Sequence, residues 1–509
     1  MKLDKKIAVK LDKILEKEGI LALAKKMTKE HKGAEMYLVG GAVRDIIIGR
    51  PVKDMDVLVR KIKIKDLEKF LAKSGRVDLV GKRFSVLKFT PKTARLPRPD
   101  DGARNDRSEE ARQIDIALPR TDFAYGTGGY KDFKVKADPN LPIEDDLARR
   151  DFTVNAMAWN VVTGEIVDPY GGLFDLDKKI IRAVGAPAER FAEDYSRMLR
   201  AIRFAMQLDF KIEMKTWAAV KKYIGKINDL AESGERKVPY EVIASEFLKS
   251  FDAQPVETIK KYFECGAARA LMPELIAMKK CSQPKEFHSE GDVMIHTLMA
   301  LQNIEIKFFK KYFSETVDLD TKMAILLHDV GKPAAKMKKD GRTVFYNHDK
   351  MGAEIARKFL ERLKFSAPPE ARVDIGKISW LVGSHMLFLY SDPRILNKTT
   401  IEKYLFHKVY GGLSHMQLFL ADAMACRPAN VKLDLSRFKA AYKIWKEMGK
   451  SPKATLPAPF LNGDAVMKIL KIPPGIKVGE VLQLLREEQL NGRVKNKKDA
   501  EKFIKKIKL

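Results

Sequence analysis

The sequence predicts an N-terminal region that mixes strands with helices, followed by a longer region that is almost entirely helical. In the first 170 residues, short strand-forming runs such as 37–39 and 114–118 are separated by turns and by a helix-like segment at 61–75. From residue 191 onward, apolar residues recur at the spacing of helices. A length of 509 residues leaves room for about three domains. We therefore expect an α+β fold class at the N-terminus and an all-α remainder.

The charge balance indicates a polyanionic partner. The chain has 96 basic and 68 acidic residues and a formal net charge of +28, which favours nucleic acid first and an anionic membrane surface second. A generally lysine-rich proteome would give the same excess. No apolar run approaches the 18 residues of a membrane-spanning helix, so we expect no membrane insertion.

The N-terminus and the cysteines indicate a cytoplasmic protein. Residues 1–36 alternate lysines with apolar residues and lack the apolar core and cleavage site of a signal peptide. We expect an amphipathic helix there, packed on the first domain. Cys265, Cys281 and Cys426 are far apart and form no C-x-x-C pair, so we expect small core residues in a reducing compartment.

The stretch 36–60 contains the first candidate site. A strand-like run enters the double glycine Gly40-Gly41, and a short helical piece and a turn lead to the sequence KDMDVLV. Glycine lets backbone N–H groups approach an anion that a Cβ would hold away. Asp54 and Asp56 alternate along a strand, so both carboxylates face one side and suit Mg²⁺. Each feature alone is more often a turn or a solvated strand, but together they predict a nucleotidyl-transfer site.

A third carboxylate follows on the next strand-like run. Asp115, within 114–118, is either a further site residue or a charge at the strand edge. The segment 91–113 has the Pro, Gly and charge content of a surface loop. The glycine-rich segment 125–130 predicts a flexible loop beside the site.

Adjacent arginines precede an acid at the end of the first region. Arg149 and Arg150 lead into Asp151 and an apolar run. This order suits a triphosphate clamp with an acceptor for a ribose hydroxyl. A salt-bridged helix start would have the same composition, so both explanations stand at this point.

The segment 191–204, FAEDYSRMLRAIRF, predicts an amphipathic helix in which Asp194 and Arg197 share one face. One explanation is an ion-paired surface helix. Another is a base-selecting pair, because cytosine and adenine offer an exocyclic amine to Asp beside ring acceptors for Arg, whereas guanine and uracil offer a carbonyl and a ring N–H. Each mismatch would cost about 1–3 kcal/mol. The pair could thus choose C and A without a nucleic-acid template.

These motifs, in this order, resemble those of the tRNA nucleotidyltransferase (CCA-adding) and bacterial poly(A) polymerase family. GGAVRD and DMDV match its first motif, RRDFTVNA its second, DPYGGLFDL the hinge between catalytic head and helical neck, and EDYSR the base-selecting motif. The resemblance implies an α+β head with a small mixed sheet, then an all-α neck, body and tail. It implies Mg²⁺ in the head, a ribose contact from Asp151, and CTP, ATP and the 3′ end of tRNA as partners. The nucleotide-binding residues that it implies are Gly40, Gly41, Arg44, Arg149, Arg150, Asp151, Asn155, Asp194, Arg197, Arg200 and Arg203, beside the candidate catalytic carboxylates Asp54, Asp56 and Asp115.

A second set of candidate ligands lies in the helical region. Histidines and aspartates recur in separate helix-like segments, and such residues can share a divalent ion that activates water for phosphoester hydrolysis. A single buried histidine is more often structural. The ordered set resembles an HD phosphohydrolase domain, which implies 2′,3′-cyclic phosphodiesterase or phosphatase action on RNA ends with a transition metal or Mg²⁺. The ligands that it implies are His296, His328, Asp329 and Asp422, with His348 and His385 as accessory ligands and His288 lining the pocket.

The patterns predict five segments: an N-terminal helix (1–36), a nucleotidyltransferase head (37–166), a neck (167–250), a body with the HD domain (251–450) and a tail (451–509). The proline-containing stretch 451–459 predicts a linker, and two or three short helices should follow it. The tail sequences NGDAVM and GEVL resemble the C-terminal region of CCA-adding enzymes with an HD domain. That likeness implies contact with the tRNA backbone.

The motifs are compatible with several functions. The nearest rival to a CCA-adding enzyme is a poly(A) polymerase, or an enzyme that adds only CC or only A, on the same scaffold. Residues 79–89 and 116–146 look more like the CCA-adding enzymes. An HD phosphohydrolase with a vestigial head is a further candidate. So is an RNA-binding protein without catalysis, against which Asp54 and Asp56 argue. The motifs predict no oligomeric state.

Overall fold

The structure is a computed structural model in which the described residues are 5–52, 54–80, 86–92, 113–124, 127–129, 133–284, 286, 288–390, 393, 396, 398–407, 409–426, 433–449 and 458–507. Most of the predicted loop 91–113 and of the predicted linker 451–459 lies outside these residues. Parts of the glycine-rich segment 125–130 and of the segment 79–89 also lie outside them. The chain divides into two compact units, Met1–Leu271 and Met272–Leu509.

The first unit mixes strands and helices. Its strands are β1 (Glu35–Val39), β2 (Met55–Arg60), β3 (Gly75–Val80), β4 (Val86–Pro91), β5 (Ile114–Ala117), β6 (Arg120–Ala124), β7 (Phe133–Ala137), β8 (Ala158–Asn160), β9 (Ile166–Val167), β10 (Ile180–Ile181) and β11 (Lys211–Ile212). Its helices are α1 (Lys5–Lys17), α2 (Ile20–Glu30), α3 (Gly41–Ile47), α4 (Ile64–Ser74), α5 (Ile143–Ala148), α6 (Gly172–Asp177), α7 (Pro187–Glu193), α8 (Ser196–Leu208), α9 (Met214–Tyr223), α10 (Tyr240–Ala253), α11 (Pro255–Cys265) and α12 (Ala267–Leu271).

The head is organised by one mixed sheet in the order β3-β4-β5-β2-β1-β8-β9. Strands β2 and β5 run parallel, and the other neighbours are antiparallel. Alternation of apolar residues along these strands buries Leu38, Val57 and Ile116 in the core. The parallel pair matters for function, because it sets Asp56 directly opposite Asp115.

The N-terminus differs from the prediction of a single helix. Two helices form, because Gly19 adopts φ 74° and ends the first of them, a conformation that glycine takes without steric cost. The apolar faces of both are buried through residues such as Leu15 and Leu23. Helix α1 packs on α3 and helix α2 on β1, so the predicted packing on the first domain is confirmed.

The predicted helix over 191–204 is also interrupted. Helix α7 ends at Glu193, Asp194 is extended with φ −157°, and α8 begins at Ser196. The break follows from a local competition: the Asp194 carboxylate accepts a hydrogen bond from the Ser196 N–H at 2.8 Å, as side chains do at helix starts. The i, i+3 argument for Asp194 and Arg197 on one helix face is therefore wrong.

The second unit is almost wholly helical in its described residues. Its helices are α13 (Pro273–Lys279), α14 (Val293–Asn303), α15 (Lys307–Lys310), α16 (Leu319–Leu327), α17 (Lys332–Ala335), α18 (His348–Arg362), α19 (Ile375–Ser384), α20 (Leu387–Tyr390), α21 (Lys398–Leu405), α22 (Leu413–Ala425), α23 (Ser436–Met448), α24 (Gly463–Leu470), α25 (Ile476–Leu490) and α26 (Lys497–Lys505). A hairpin of β12 (Met337–Lys339) and β13 (Arg342–Val344) interrupts them.

The predicted fold class is confirmed: a mixed-sheet head with helices precedes a helical remainder. The tail contains three helices around a small apolar core with Val466 and Val481, as predicted. Cys265 and Cys281 are buried, and all three cysteines are free thiols. Among the described residues, no helix is both long and apolar enough to cross a membrane.

Candidate functional site

Three carboxylates meet at one wall of a cavity of about 1120 Å³ in the first unit. Asp56 on β2 faces its register partner Asp115 on β5, and Asp54 lies one residue before β2. All three line the cavity. Asp115 therefore lies in the cavity lining together with Asp54 and Asp56. Its role as a third site residue stays a prediction.

The aspartates repel one another. Lost hydration raises the pKa of Asp56; the nearby Arg150 guanidinium lowers it, and the charges of Asp115 and Asp54 raise it again, for a net upward shift. Carboxylates held this close together are stabilised by a divalent cation between them. The residues therefore fit Mg²⁺ on the chemistry of the donor set.

The glycine turn lies beside an arginine. Gly40 adopts φ 68°, and a Cβ placed there would lie 2.4 Å from Nη1 of Arg150. The same guanidinium donates to the Asn155 carbonyl oxygen at 3.3 Å. Because Gly40 has no side chain, Arg150 can occupy the space beside it. The sequence predicts a different role for this glycine, the approach of backbone N–H groups to an anion.

A buried acid positions the paired arginines. Asp146, fully buried, accepts hydrogen bonds from Nε and Nη2 of Arg149 at 3.0 and 2.9 Å, and from Nη2 of Arg150 at 3.4 Å. Both arginines are therefore salt-bridged, although to Asp146 at the end of α5 and not at a helix start, and both line the cavity. Their role as a triphosphate clamp stays a prediction. Sequence reasoning missed Asp146, which lies three and four residues before the arginines, a spacing that brings side chains together at the end of helix α5.

Asp151 is occupied by partners within the protein. Its Oδ2 accepts from Nε of Arg200 at 2.8 Å, while Oδ1 accepts from its neighbour's backbone N–H and from Nδ2 of Asn155. Burial alone would raise the pKa of Asp151, but the charges of Arg200 and Arg197 and these hydrogen bonds lower it to about 2. Asp151 is therefore ionised and holds α8 against the head.

An aromatic ring gathers three arginines at the far wall. The guanidinium carbons of Arg203, Arg44 and Arg200 lie 4.0, 5.3 and 5.5 Å from the centre of the Phe204 ring. Glu246 accepts from Nε of Arg203 at 2.5 Å. Nothing in the sequence links Glu246, 43 residues further on, with this cluster, and it was missed.

Asp194 and Arg197 face the same cavity despite the helix break. Arg197 donates through Nη1 to Glu193 Oε2 at 2.6 Å, so it is held by Glu193 and not by Asp194. Burial raises the pKa of Asp194, partly offset by its hydrogen bonds from Ser196. Tyr195 between them donates its backbone N–H to the Gly128 carbonyl at 3.1 Å, which brings the glycine-rich segment beside the site.

The cavity thus collects nearly every residue predicted for the head. Of the three carboxylates and eleven nucleotide-binding candidates, only Gly40 is absent from its lining. The lining also includes cations that the sequence did not single out, Lys88 on β4 and Arg120 on β6.

A second cluster fills the centre of the helical unit. His296 on α14 contacts Asp422 on α22 through Nε2 and Oδ1 at 2.9 Å, and His328 lies 3.2 Å from Asp329 Oδ2. All four are buried. The predicted ligand set of four therefore meets at one point, although its members come from residues far apart in the chain.

The two accessory histidines form a second triad with Asp329. His348 and His385 lie 3.4 and 3.7 Å from its Oδ1, while His296 and His328 lie on the side of Oδ2. Among the described residues, candidate ligand atoms within 4.8 Å of one another form three groups: His296-His328-Asp329, Asp329-His348-His385 and, at the edge, His288-His296-Cys426. Asp329 is common to the first two.

The histidines are oriented toward the centre. Nδ1 of His328, His348 and His385 each lies 2.7–2.8 Å from the backbone carbonyl oxygen three residues earlier, so Nδ1 carries the hydrogen. Their Nε2 atoms are buried without a well-formed hydrogen bond, whereas Asp329 Oδ2 lies 2.7 Å from Nζ of Lys332. Such orphaned atoms fit a bound cation, whose histidine ligands are fixed in this way.

Further charged groups surround the cluster. Glu290 Oε1 lies 2.9 Å from Nδ1 of His296 and 2.7 Å from Nδ1 of His288, which confirms His288 at the edge of the site. Lys332 contacts Asp329 Oδ2 at 2.7 Å. Burial would raise the pKa of Asp329, but His328 and Lys332 hold it well below its usual value. Sequence reasoning missed Glu290 and Lys332.

Comparison with known families agrees with both sites. Residues 36–182 match the Poly A polymerase head domain, and residues 294–402 match the HD domain. The "Multifunctional CCA protein" of Neisseria meningitidis is 34% identical over 367 residues, which cover 71% of this chain and 76% of that protein. The protein of the same description from Azoarcus sp. is 34% identical over 343 residues, which cover 66% of this chain and 70% of that protein.

Solved structures share the fold. The Thermotoga maritima CCA-adding enzyme complexed with tRNA matches with a TM-score of 0.57 at 20% identity, over 99% of this chain and 96% of that one. The Bacillus stearothermophilus CCA-adding enzyme in complex with CTP also matches with a TM-score of 0.57, over 95% of both chains. Together with the identity to the curated proteins, these matches show that the chain belongs to the multifunctional CCA protein family.

Proposed function

We propose that the protein adds C, C and A to the 3′ end of tRNA from CTP and ATP without a nucleic-acid template. One observation carries the proposal: a single cavity holds three strand carboxylates, a set of arginines and the Asp194–Arg197 pair. These are the parts that phosphoryl transfer with a choice of base requires.

The roles follow from the contacts. Asp54, Asp56 and Asp115 would hold Mg²⁺, which when bound neutralises charge on the triphosphate and lowers the pKa of the attacking 3′-hydroxyl. Arg149 and Arg150, fixed by Asp146, would bind phosphate oxygens.

Base choice would come from the end of the cavity at α8. Oδ1 of Asp194 accepts the Ser196 N–H, and its second oxygen would accept an exocyclic amine, while Arg197 donates to ring acceptors. With both oxygens of Asp151 bonded inside the protein, its direct ribose contact requires a rearrangement. We propose that the main role of Asp151 is to position Arg200.

The test is an addition assay on defined RNA ends. Transcripts of tRNA that end before the final trinucleotide, after its first C, or after its second C are incubated with Mg²⁺ and CTP, ATP or both. We expect completion of CCA and then arrest. Long A tails on unrelated RNA would establish a poly(A) polymerase instead, and arrest after CC, or addition of A alone, would establish a partial adder.

We propose a second activity, hydrolysis of 2′,3′-cyclic or terminal phosphates on RNA ends, at the HD cluster. The observation that favours it is the pair of buried triads sharing Asp329, with Nε2 atoms aimed at the centre. Four histidines and two aspartates suit a transition metal or Mg²⁺, which when bound supplies an activated water.

Metal binding can be tested apart from activity. Added Mn²⁺ or Ni²⁺ should raise the melting temperature of the metal-free wild type, because a ligand that binds only the folded state stabilises it. The shift should vanish in His328→Ala with Asp329→Ala. An equal shift in that variant would locate the ions elsewhere and remove the support for hydrolysis.

The finer division of the chain remains a proposal: head 37–166, neck 167–250, body 251–450 and tail 451–509. We propose that the tail contacts the tRNA backbone and, because tRNA maturation is the proposed activity, that the protein acts in the cytoplasm.

A further inference from the structure

The β12–β13 hairpin connects the two halves of the HD cluster. Asp329 and Lys332 precede it, and His348 follows β13 by four residues. Its base is packed tightly: a Cβ on Gly331 would lie 2.1 Å from the His348 carbonyl oxygen. The chain leaves and re-enters the cluster at nearly the same point, so the hairpin begins and ends beside the cluster.

The hairpin is basic in a way that its own stability does not explain. Residues 336–350 include five basic and two acidic side chains. Lys339 and Arg342 are register partners that flank the Asp340-Gly341 turn, and like charges placed directly opposite each other destabilise a strand pair. Both are exposed, and neither forms an ion pair with any residue that the structure describes. An anion between them would relieve the repulsion.

An aromatic side chain lies beside these cations. Tyr346, two residues after β13, is 53% exposed, and Nζ of Lys339 lies 5.5 Å from the centre of its ring. Exposed rings that stack bases, next to cations that contact phosphates, are the combination with which proteins bind single-stranded nucleic acid. Met337, on the same face of the hairpin, is 52% exposed and extends this surface.

We propose that this basic hairpin, defined by Lys339, Arg342 and Tyr346, binds the single-stranded 3′ segment of an RNA whose terminal phosphate enters the HD cluster. The proposal rests on the hydrolase activity proposed above and names its substrate class: an RNA end, and not a free nucleotide. Three strand residues span about 10 Å, so the hairpin tip would contact the strand a few nucleotides before its end.

The kinetic test compares two substrates on the full-length protein. One is a single-stranded RNA of about eight nucleotides with a 2′,3′-cyclic phosphate end, and the other is a 2′,3′-cyclic mononucleotide. For Lys339→Ala with Arg342→Ala, we expect kcat/KM for the RNA to fall at least about tenfold, mainly through KM, while the mononucleotide value changes less than twofold. The slope of log(kcat/KM) against log[salt] should also decrease by about 1.4, since each contact with a single strand contributes about 0.7.

The matched control removes two positive charges elsewhere in the same unit. Lys307→Ala with Lys311→Ala, at exposed positions on α15 and at its end, should leave the preference for RNA and the salt slope unchanged. If kcat/KM for the RNA falls equally in the two double variants, the effect comes from net charge alone, and the proposal is overturned. Equal losses on RNA and mononucleotide in the hairpin variant would also overturn it.

A cross-linking measurement separates the hairpin from the hydrolase. RNA with 4-thiouridine two or three nucleotides before a 3′-phosphate is irradiated with the wild type, and the attachment site is mapped by mass spectrometry. Attachment within 336–350 supports RNA binding by the hairpin. Failure of the wild type to hydrolyse either substrate would overturn only the hydrolase proposal. Attachment confined to the first unit or to the tail would overturn the hairpin proposal.

Discussion

At the scale of single residues, the cavity in the head depends on acids that fix arginines. Asp146 holds Arg149 and Arg150, and Asp151 holds Arg200. An arginine side chain loses conformational entropy when it binds a phosphate. If a buried carboxylate already orients the guanidinium, part of that entropy has been lost on folding, and less is lost on binding. We infer that Asp146 and Asp151 contribute to substrate binding through the arginines that they orient.

We predict that Asp151→Asn weakens the fold in a pH-dependent manner. The folded pKa of about 2 lies below the ordinary value of 3.8, so the ionised form contributes stability above about pH 4 that is lost as the pH falls toward 2. The variant should unfold with a free energy at least about 2 kcal/mol lower at pH 7. The unfolding free energies of wild type and Asp151→Asn, measured with denaturant, should approach each other as the pH is lowered.

Asp177→Asn provides the control, because the Asp177 side chain is 72% exposed and lies outside the cavity. It should change stability little at any pH. A difference between wild type and Asp151→Asn that stays constant from about pH 5 to about pH 2.5 would contradict the assigned pKa of Asp151.

We predict that Asp194→Ala relaxes base choice and retains part of the catalysis. The carboxylate is not a candidate metal ligand, and the mismatches it would enforce cost about 1–3 kcal/mol each. The ratio of kcat/KM for CTP to that for UTP should therefore fall about tenfold or more in single-addition assays. Glu189→Ala, exposed on α7, is the control; unchanged selectivity in Asp194→Ala would disprove the base-selecting role.

At the scale of elements, the turn between β1 and α3 shows what a glycine can do for a neighbour. Gly33 and Gly40 both have positive φ, but space around Gly33 is open, whereas Gly40 touches Arg150. Alanine at either position bears backbone strain, because a Cβ disfavours positive φ. Only at Gly40 would it also displace a side chain in the cavity.

We predict that Gly40→Ala lowers kcat/KM for CTP addition by at least about tenfold, because Arg150 must leave its position. Gly33→Ala has the same kind of backbone strain without that contact, so it should keep nearly wild-type kinetics. Both variants should lose stability in thermal unfolding, and Gly40→Ala should lose more, because φ 68° with ψ −133° is a conformation that residues with a Cβ rarely adopt. Equal activity of the two would exclude the contact with Arg150 as the reason for glycine at position 40.

Sequence reasoning found the residues of the cavity more reliably than the elements that present them. Asp54 and Asp56 were predicted to lie together because strand alternation is a local property, whereas Asp115 stayed one of two alternatives because its position opposite Asp56 depends on the pairing of β2 with β5. The break at Asp194 was missed because a side-chain hydrogen bond to Ser196 competed with helix propagation, and apolar periodicity does not report such competition. Glu246 was missed because its pairing with Arg203 depends on the packing of α10 against α8.

At the scale of the whole molecule, the two sites lie in different compact units, the head cavity before Leu271 and the HD cluster after Met272. Each is assembled from residues of its own unit. The net charge of +28 belongs to the whole chain, so it would attract a polyanion to either site.

We predict that the two activities separate by mutation. Asp54→Asn with Asp56→Asn should abolish nucleotide addition, by at least about 10³-fold, and leave hydrolysis of a cyclic phosphate within about twofold, because no cavity residue is shared. His328→Ala with Asp329→Ala should do the reverse. Loss of both activities in either variant, with circular dichroism unchanged, would show that the sites are coupled.

The contact between Gly128 and Tyr195 has an evolutionary consequence. A Cβ at Gly128 would lie 2.2 Å from atoms of the Tyr195 ring, and Gly128 has φ 77°. The large ring therefore requires the missing side chain, and Asp194 is the residue next to that ring. Among relatives, any larger residue at position 128 should be accompanied by a smaller one at position 195, so the two columns of an alignment should covary although they are far apart in the chain.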